Sequence, residues 1–230
     1  MTRGFGTGDN HDMSHRIACD ALLFDLDGVL ADTTELVERS WTEWAESRGL
    51  DPDFAPRVHG RPTLEVVSDV APDLDARAEA DDVERREEES LDAITAVDGA
   101  LELVASLPPS SWAVVTSGNK SQAAARLGAI ELKPPQVVIT SEDIDKGKPH
   151  PDPYLSAARK LGVSPQGCVV FEDAPAGIAA ARSAGMASIA VTTTMDPEAL
   201  EAADHVVSSL RQVRVGSRDG RLEVVVEEEP

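Results

Sequence analysis

The second half of the chain alternates short β-rich segments with alanine-rich helical segments, and this alternation constrains the fold more than any other feature. After Pro108-Pro109 the pairs run in the order WAVVTSG and NKSQAAARLGA, QVVIT and DPYLSAARKLG, GCVVFED and AGIAAARSAG, ASIAVTT and DPEALEAA, then DHVVSS. A series of this kind predicts an α/β fold, a parallel sheet with helices on both faces. The continuous apolar run within residues 17–24 predicts one more strand, buried on both sides.

A long helical segment separates that first strand from the rest of the predicted sheet. It is about sixty to seventy residues long, which exceeds an ordinary crossover connection. We therefore expect residues 33–96 to form an α-helical cap, inserted into a Rossmann-like core made of residues 17–32 and 97–230. The polar, glycine-rich residues 1–16 are expected to be a disordered tail, and RQVRVGSRDGRLEVVV predicts a β-hairpin that turns near Asp219-Gly220.

Composition excludes several classes of partner. The formal charge of −21 over 230 residues, with no stripe of basic residues, argues against nucleic acid. No apolar run approaches the length of a membrane span and no signal-peptide core follows Met1, so no membrane partner is expected. Cys19 and Cys168 lie in or beside apolar segments and are expected to be buried thiols, which fits a reducing cytoplasm.

Polar residues follow the predicted strands at the points where those strands end. In open α/β sheets, ligands bind at the carboxyl ends of the strands. The residues concerned are Asp25-Leu26-Asp27-Gly28 after the first strand, Thr116-Ser117-Gly118-Asn119 after the second, Lys148 in the loop after the third, and Glu172-Asp173 after the fourth.

These residue types suit phosphoryl transfer. Carboxylates hold Mg²⁺, which prefers oxygen ligands. One carboxylate can attack phosphorus while a second handles the proton. A hydroxyl, backbone amides and a lysine can hold the phosphate oxygens as charge develops. The same tripeptide, Asp73-Leu74-Asp75, recurs in helical, surface-type sequence, so it is the position after a buried strand that distinguishes Asp25 and Asp27.

The segments FDLDGVLADT, VVTSGN, KGKPHPDPY and FEDAPAGIAAARSAG resemble, in order, the four motifs of the haloacid dehalogenase superfamily. The helical segment between the first two motifs is similar to the cap of the phosphoglycolate phosphatase and β-phosphoglucomutase branch. VHGRPTLEVVSDVAPD and the late RVG resemble more closely the glycerol-1-phosphatase and 2-deoxyglucose-6-phosphatase group.

The resemblance implies a role for each motif residue in the core. Asp25 would be the nucleophile that forms an aspartyl-phosphate, and Asp27 would protonate the leaving alcohol and then activate water. The implied Mg²⁺ ligands are Asp25, the backbone carbonyl of Asp27, Asp173, and Glu172 directly or through a further layer. The implied phosphate-binding residues are Thr116, Ser117, Gly118, Asn119 and Lys148.

In the cap, the sequence HGRPT admits two interpretations. By itself it is an ordinary surface loop with an exposed arginine. The resemblance implies instead a substrate-specificity loop, with His59 and Arg61 facing the hydroxyl groups of a polyol or sugar. The residues of this implied loop are His59, Gly60, Arg61 and Thr63.

The resemblance implies a Mg²⁺-dependent phosphatase, expected to be a monomer, that hydrolyses a small phosphorylated polyol or sugar through an aspartyl-phosphate. Asp27 argues against dehalogenase chemistry, and the absence of lysine from residues 31–99 argues against Schiff-base phosphonatase chemistry. A mutase of the β-phosphoglucomutase type and a non-catalytic acidic metal-binding module stay open as alternatives. The physiological substrate is left open as well.

Overall fold

A six-stranded parallel sheet forms the centre of the molecule. The computed structural model describes residues 14–59 and 61–227. Strands and helices are numbered along this described chain. The sheet contains β2 (Ala21–Phe24), β5 (Trp112–Val115), β6 (Val138–Ile139), β7 (Cys168–Glu172), β8 (Ala187–Val191) and β9 (His205–Val207). Their order is β6-β5-β2-β7-β8-β9, and every adjacent pair is parallel.

Helices cover both faces of this sheet, as the alternation predicts. The core helices are α4 (Ala100–Ala105), α5 (Lys120–Ala129), α6 (Asp152–Leu161) and α7 (Pro175–Ser183). Along β2, Leu22 and Phe24 enter one apolar cluster and Leu23 enters the cluster on the opposite face. Because successive side chains of a strand point to opposite faces, a strand covered on both sides has to be apolar throughout. The predicted α/β fold class is confirmed.

The insert between β2 and β5 is helical and has a core of its own. Its helices are α1 (Thr34–Ser47), α2 (Thr63–Val70) and α3 (Ala76–Glu88). Trp41 and Trp44 of α1 pack against Phe54 in edge-to-face pairs, with ring centroids 5.8 and 6.4 Å away. Val67 of α2 and Val83 of α3 join the same apolar cluster, which is separate from those of the sheet. The insert is therefore stabilised by its own buried surface.

Two very short strands connect the insert to the core. Strand β3 (Ala31–Asp32) enters the insert and β4 (Thr95–Ala96) leaves it. They pair antiparallel, with Ala31 opposite Ala96 and Asp32 opposite Thr95. The predicted insert limits of 33 and 96 fall at this pair, and the division into two domains stays a prediction.

A second, antiparallel sheet corrects two predictions about the beginning of the chain. It consists of β1 (Ser14–Cys19), β10 (Val213–Arg218) and β11 (Arg221–Glu227), in the order β1-β11-β10. The single strand predicted over residues 17–24 is two strands in different sheets, separated at Asp20. The predicted disordered tail over residues 1–16 is wrong for residues 14–16, which pair with β11, while residues 1–13 lie outside the described residues.

Both corrections arise from contacts with residues that are distant in the sequence. Strand β11 pairs with β10 on one edge, and β1 pairs with its other edge. Asp20 leaves the strand direction because its carboxylate binds the guanidinium of Arg221 at 2.8 and 3.1 Å. The predicted hairpin is confirmed by the pairing of β10 with β11. Its turn residues Asp219 and Gly220 have φ values of 52° and 79°, as a tight type I′ turn requires.

Candidate active site

The predicted catalytic residues lie together because β2 is central in the sheet, between β5 and β7. Asp25 follows β2 directly, and its backbone amide donates to the carbonyl of Phe171 at 2.9 Å. The Nζ atom of Lys148 lies 2.9 Å from Oδ1 of Asp25 and 2.7 Å from Oε1 of Glu172. All three side chains are buried. The structure thus brings residues from three separate motifs into one contact.

Three carboxylates surround that single lysine. Asp25, Glu172 and Asp173 each place one carboxylate oxygen within 4.8 Å of the others. Oδ2 of Asp173 accepts from the hydroxyl of Thr194 at 2.5 Å, whereas its Oδ1 is buried without a hydrogen-bond partner. A buried carboxylate oxygen without a partner is costly, and three carboxylates beside one cation leave an excess of negative charge. A divalent cation with oxygen ligands satisfies both conditions, so the residues fit a metal site.

The glycine after the Asp25–Asp27 pair is required by this packing. Gly28 has a φ of 74°, and a Cβ atom there would lie 2.0 Å from Oδ2 of Asp173. Gly177 is likewise required beside Glu172, because a Cβ atom at Gly177 would lie 1.7 Å from Oε1 of Glu172. Both glycines therefore let the backbone approach the buried carboxylates.

Burial and charge shift the ionisation of these groups. Burial raises the pKa of Asp25 to about 7, although the nearby Lys148 ammonium acts in the opposite direction. Burial, together with the charges of Asp25 and Glu172, raises the pKa of Asp173 well above its ordinary value. Burial by itself would lower the pKa of Lys148, but the two carboxylates beside it hold that pKa above its usual range. Without a further cation, the cluster therefore resists full ionisation.

The second motif forms a loop between β5 and α5. Thr116 is buried directly after β5, and its Oγ1 accepts from the backbone amide of Gly118 at 3.0 Å. Ser117 and Gly118 line the cavity described below. The Asn119 side chain caps α5 by accepting from the amide of Gln122 at 2.9 Å, and it donates to Glu84 of the insert at 2.8 Å. Asn119 is thus occupied as a helix cap and as a contact with the insert.

A cavity lies between the carboxyl ends of the strands and the insert. It is lined by residues of both parts, namely Asp25, Asp27, Thr33, Val37, Trp41, Val58, His59, Arg61, Thr63, Glu87, Ser117, Gly118, Gln122 and Arg126. His59, Arg61 and Thr63 of the HGRPT loop therefore border the same space as the two aspartates. Gly60 lies outside the described residues.

Within this loop, both basic side chains lie close to acidic residues. Nη2 of Arg61 donates to Glu65 at 3.0 Å and to Asp69 at 2.5 Å, so its guanidinium is held against helix α2, which begins two residues later. Nε2 of His59 is buried and lies 3.6 Å from Oε1 of Glu38. The cation at Arg61 is thus neutralised by neighbouring carboxylates at the cavity edge.

Two charged residues of the cavity were not found by sequence reasoning. Arg126 of α5 contacts Asp27 at 2.7 Å and Glu87 of the insert at 2.6 Å. The sequence predicts a solvated face for the acidic run around Glu87, and this is wrong for Glu87, which is 5% exposed. The signal available was the pair Gln122 and Arg126, which stand four residues apart and so share one face of an otherwise alanine-rich helix.

The fold and the site define a class of proteins: Rossmann-like α/β enzymes with an inserted helical cap and a carboxylate cluster at the carboxyl edge of the sheet. The chain belongs to the haloacid dehalogenase-like hydrolase family, which matches residues 22–191. The predicted superfamily is thereby confirmed.

Relatives of established activity agree with this assignment. The chain is 39% identical over 203 residues to Hexitol phosphatase A of Escherichia coli (strain K12), covering 86% of this chain and 94% of that protein. It is 32% identical over 225 residues to Glycerol-1-phosphate phosphohydrolase 1 of Saccharomyces cerevisiae, covering 90% of this chain and 88% of that protein. The predicted enzyme class, a phosphatase of this family, is confirmed by these relatives.

A solved structure shares the same architecture. The crystal structure of β-phosphoglucomutase from Clostridium difficile superimposes with a TM-score of 0.74 at 26% identity, over 85% of this chain and 93% of that one. Among the residues that the structure describes, no helix combines the length and the apolar character needed to cross a membrane.

Proposed function

We propose that this protein is a Mg²⁺-dependent phosphatase that hydrolyses a small phosphorylated polyol or sugar through an aspartyl-phosphate. One observation carries the proposal. Asp25 lies against Lys148 and two further buried carboxylates, while Asp27 borders the same cavity two residues along the chain. A nucleophile, an acid and base, a cation for the phosphoryl group and a metal site thus lie together at the carboxyl edge of the sheet, where Asp25 and Asp27 border the cavity.

In the first step, a carboxylate oxygen of Asp25 attacks phosphorus. The bond between phosphorus and the ester oxygen breaks, and the leaving oxygen takes a proton from Asp27 as the alcohol departs. Lys148 is buried 2.9 Å from Asp25 and supplies positive charge where the phosphoryl oxygens gain negative charge. Ser117 and Gly118 of the loop before α5 border the same cavity and add polar groups there.

In the second step, water replaces the enzyme as the phosphoryl acceptor. Asp27, now unprotonated, takes a proton from the attacking water. The bond between Asp25 and phosphorus breaks, which restores the carboxylate and releases inorganic phosphate. Asp27 thus returns to its protonated form, so that the cycle balances without another reactant.

The metal is assigned to the buried carboxylate cluster. Asp25, Asp173, Glu172 and the backbone carbonyl of Asp27 would hold it, since Oδ1 of Asp173 is buried without a partner. Mg²⁺ in this position would neutralise charge on the phosphoryl group and on the carboxylates around it. Thr116, Ser117 and Gly118 of the second motif would bind the phosphoryl oxygens, whereas the side chain of Asn119 is already engaged by Gln122 and Glu84.

The charges of the cavity favour a neutral leaving group. Among the described residues that line it, the arginines are Arg61 and Arg126, and each is paired with two carboxylates. A second phosphate or a carboxylate on the substrate would find no uncompensated arginine there. Hydroxyl groups can instead exchange hydrogen bonds with the polar residues His59 and Thr63. This supports a polyol or sugar, the type of compound that the names of the two phosphatase relatives contain.

The charge pairing also bears on the mutase alternative. A phosphosugar mutase has to hold a second phosphate while the first is transferred, which requires basic groups in the cap. The paired state of Arg61 therefore favours hydrolysis over transfer to a second hydroxyl. The non-catalytic alternative is disfavoured because Asp25 and Asp27 are both present and both border the cavity.

A panel of phosphate esters tests the proposal. Release of inorganic phosphate is measured from glycerol phosphate, hexitol phosphates, deoxyhexose phosphate, phosphoglycolate and para-nitrophenyl phosphate, with Mg²⁺ and with EDTA. We expect Mg²⁺-dependent release that is fastest with one of the polyol or sugar esters. Glucose phosphates are incubated in parallel: their interconversion without release of phosphate would identify a mutase. No turnover of any ester would contradict the proposal.

A further inference from the structure

Arg126 joins the core and the insert at the cavity. It lies on core helix α5 and is 5% exposed. Its Nη1 donates to Oδ2 of Asp27 at 2.7 Å, and its Nη2 donates to Oε2 of Glu87 at 2.6 Å. Glu87 belongs to the last turn of α3 in the cap. One guanidinium therefore binds the proposed proton donor and the cap at once.

The surrounding side chains fix this arrangement. Gln122 lies one turn earlier on α5 and donates to the same Oε2 of Glu87 at 3.1 Å. Thr33 donates to the other oxygen of Asp27 at 3.0 Å, so both carboxylate oxygens of Asp27 are held. A Cβ atom at Gly118 would lie 3.3 Å from Nη1 of Arg126. The absence of a side chain at Gly118 therefore leaves space for the guanidinium.

We propose that Arg126 is a positioning residue that couples the placement of the Asp27 carboxylate to docking of the cap. The inference rests on the proposed function, in which Asp27 protonates the leaving alcohol. An ion pair that served only to dock the cap would need Glu87 alone. Arg126 uses its second nitrogen for Asp27, and the planar guanidinium makes both contacts with one fixed geometry. Docking of Glu87 thus orients the guanidinium that orients Asp27.

The choice of leaving group separates positioning from a merely structural role. The leaving group of an alkyl ester such as glycerol phosphate is an unstable alkoxide, so its departure needs a proton from Asp27. The para-nitrophenolate ion is stable and leaves without one. Misplacing Asp27 should therefore slow attack on the alkyl ester more than attack on the aryl ester, whereas general damage to the fold slows both alike.

The experiment measures kcat/KM for both esters in R126M, R126K and E87Q, with Mg²⁺ present. We expect R126M to lose about a hundredfold on glycerol phosphate and less than about fivefold on the aryl ester, since small misplacements of reacting groups cost factors of this order. R126K should recover part of the alkyl activity, because a lysine keeps the charge but contacts one carboxylate at a time. E87Q should lose about tenfold in kcat/KM on glycerol phosphate, again with a smaller loss on the aryl ester.

Glu88 provides the matched control for Glu87. It is the next residue on α3, it is exposed, and E88Q makes the same chemical change on the solvent side. We expect E88Q to retain the kinetics of the unaltered protein on both esters. Should R126M fail to fold, R126K and E87Q decide the question.

Three outcomes overturn the inference. Equal losses on the two esters, in variants whose melting temperatures match that of the unaltered protein, would reduce Arg126 to a structural ion pair. Unchanged kinetics in R126K and E87Q would remove it from the reaction. If the unaltered protein hydrolyses no ester of the panel given under the proposed function, that function fails and the inference fails with it, whereas the first two outcomes leave the phosphatase assignment intact.

Discussion

Two charged clusters lie side by side at the carboxyl edge of the sheet, and they differ in where their charged groups come from. The first contains the carboxylates of Asp25, Glu172 and Asp173 around the single cation of Lys148. The second contains Asp27 and Glu87 around the guanidinium of Arg126.

The difference shows what each cluster lacks. All residues of the first cluster come from the core, and its three carboxylates exceed the single positive charge of Lys148, so it fits a further cation. In the second cluster Arg126 balances Asp27 within the core, and the cap adds the carboxylate of Glu87. The first cluster would thus be completed by a metal, whereas the second is assembled by docking of the insert.

The largest effect is expected from the nucleophile of the first cluster. Asp25→Asn should lower phosphate release by at least about 10³-fold, because an amide is a very poor nucleophile. The assay is phosphate release from para-nitrophenyl phosphate and from the best polyol ester, with Mg²⁺ present.

The chain contains a matched control for this change. Asp73→Asn alters the first aspartate of the other Asp-Leu-Asp tripeptide, which is exposed in the insert, and should leave the rate unchanged. Retained turnover in Asp25→Asn would remove Asp25 from the mechanism, whatever the fate of the metal site.

The next largest effect is expected from removing and restoring the metal, which should act on the first cluster. Bound Mg²⁺ stabilises the folded state by mass action, so we expect the melting temperature to rise with Mg²⁺ concentration. Asp173→Asn should abolish this rise. In EDTA the variant should melt above the unaltered protein, since it removes one of three crowded carboxylates.

The exposed Asp196 gives the control for the metal experiment, because Asp196→Asn should retain the full Mg²⁺ response. If the melting temperature of the unaltered protein does not change with Mg²⁺ concentration, the metal assignment is contradicted. Such a result would mean that Lys148 alone balances the cluster.

A smaller effect is expected at the rim of the cavity. Arg61 is held by Glu65 and Asp69, so its removal should change substrate preference more than catalysis. We expect Arg61→Ala to lower kcat/KM on the best polyol ester by about tenfold and on para-nitrophenyl phosphate by less than about twofold. Arg57→Ala, at an exposed site in the preceding segment, is the control. Equal losses on the two substrates would reject a role in specificity.

The smallest effect concerns the pH dependence of stability in the second cluster. Burial raises the pKa of Glu87 from 4.5 to about 7, although Arg126 acts against this shift. A carboxyl group with a raised pKa in the folded state favours folding below its unfolded pKa, and this contribution is lost as pH rises through the folded pKa.

The sign of that linkage gives a measurable difference. In EDTA, the melting temperature should fall more in the unaltered protein than in E87Q between about pH 5 and about pH 8. E88Q should follow the unaltered protein. Parallel curves for all three would mean that Glu87 stays ionised across this range.

The contrast between the clusters also explains which parts of the site the sequence could predict. Asp25 directly follows one buried apolar run, and Glu172 and Asp173 lie at the end of another. Such runs end at the carboxyl edge of the sheet, so a local pattern is enough to bring these three carboxylates together. The predicted helices of the insert follow from local periodicity in the same way, and the two tryptophans of α1 pack in the core of the insert.

The second cluster has no local pattern of this kind. Arg126 is 99 residues from Asp27 and 39 residues from Glu87. In the sequence, Glu87 cannot be distinguished from its exposed neighbours, since only the packing of α3 on α5 turns it inwards. The split at Asp20 was missed for the same reason, because its partner Arg221 is 201 residues away.

The paired strands β3 and β4 have a consequence for protein engineering. The chain leaves the core at Asp32 and returns at Thr95, and these two residues face each other across an antiparallel ladder. Antiparallel neighbours are spaced as in a hairpin, which a two-residue turn such as Asn-Gly can close. The whole insert could thus be exchanged for a tight turn, or for an insert of another shape, while both attachment points keep their positions on the core.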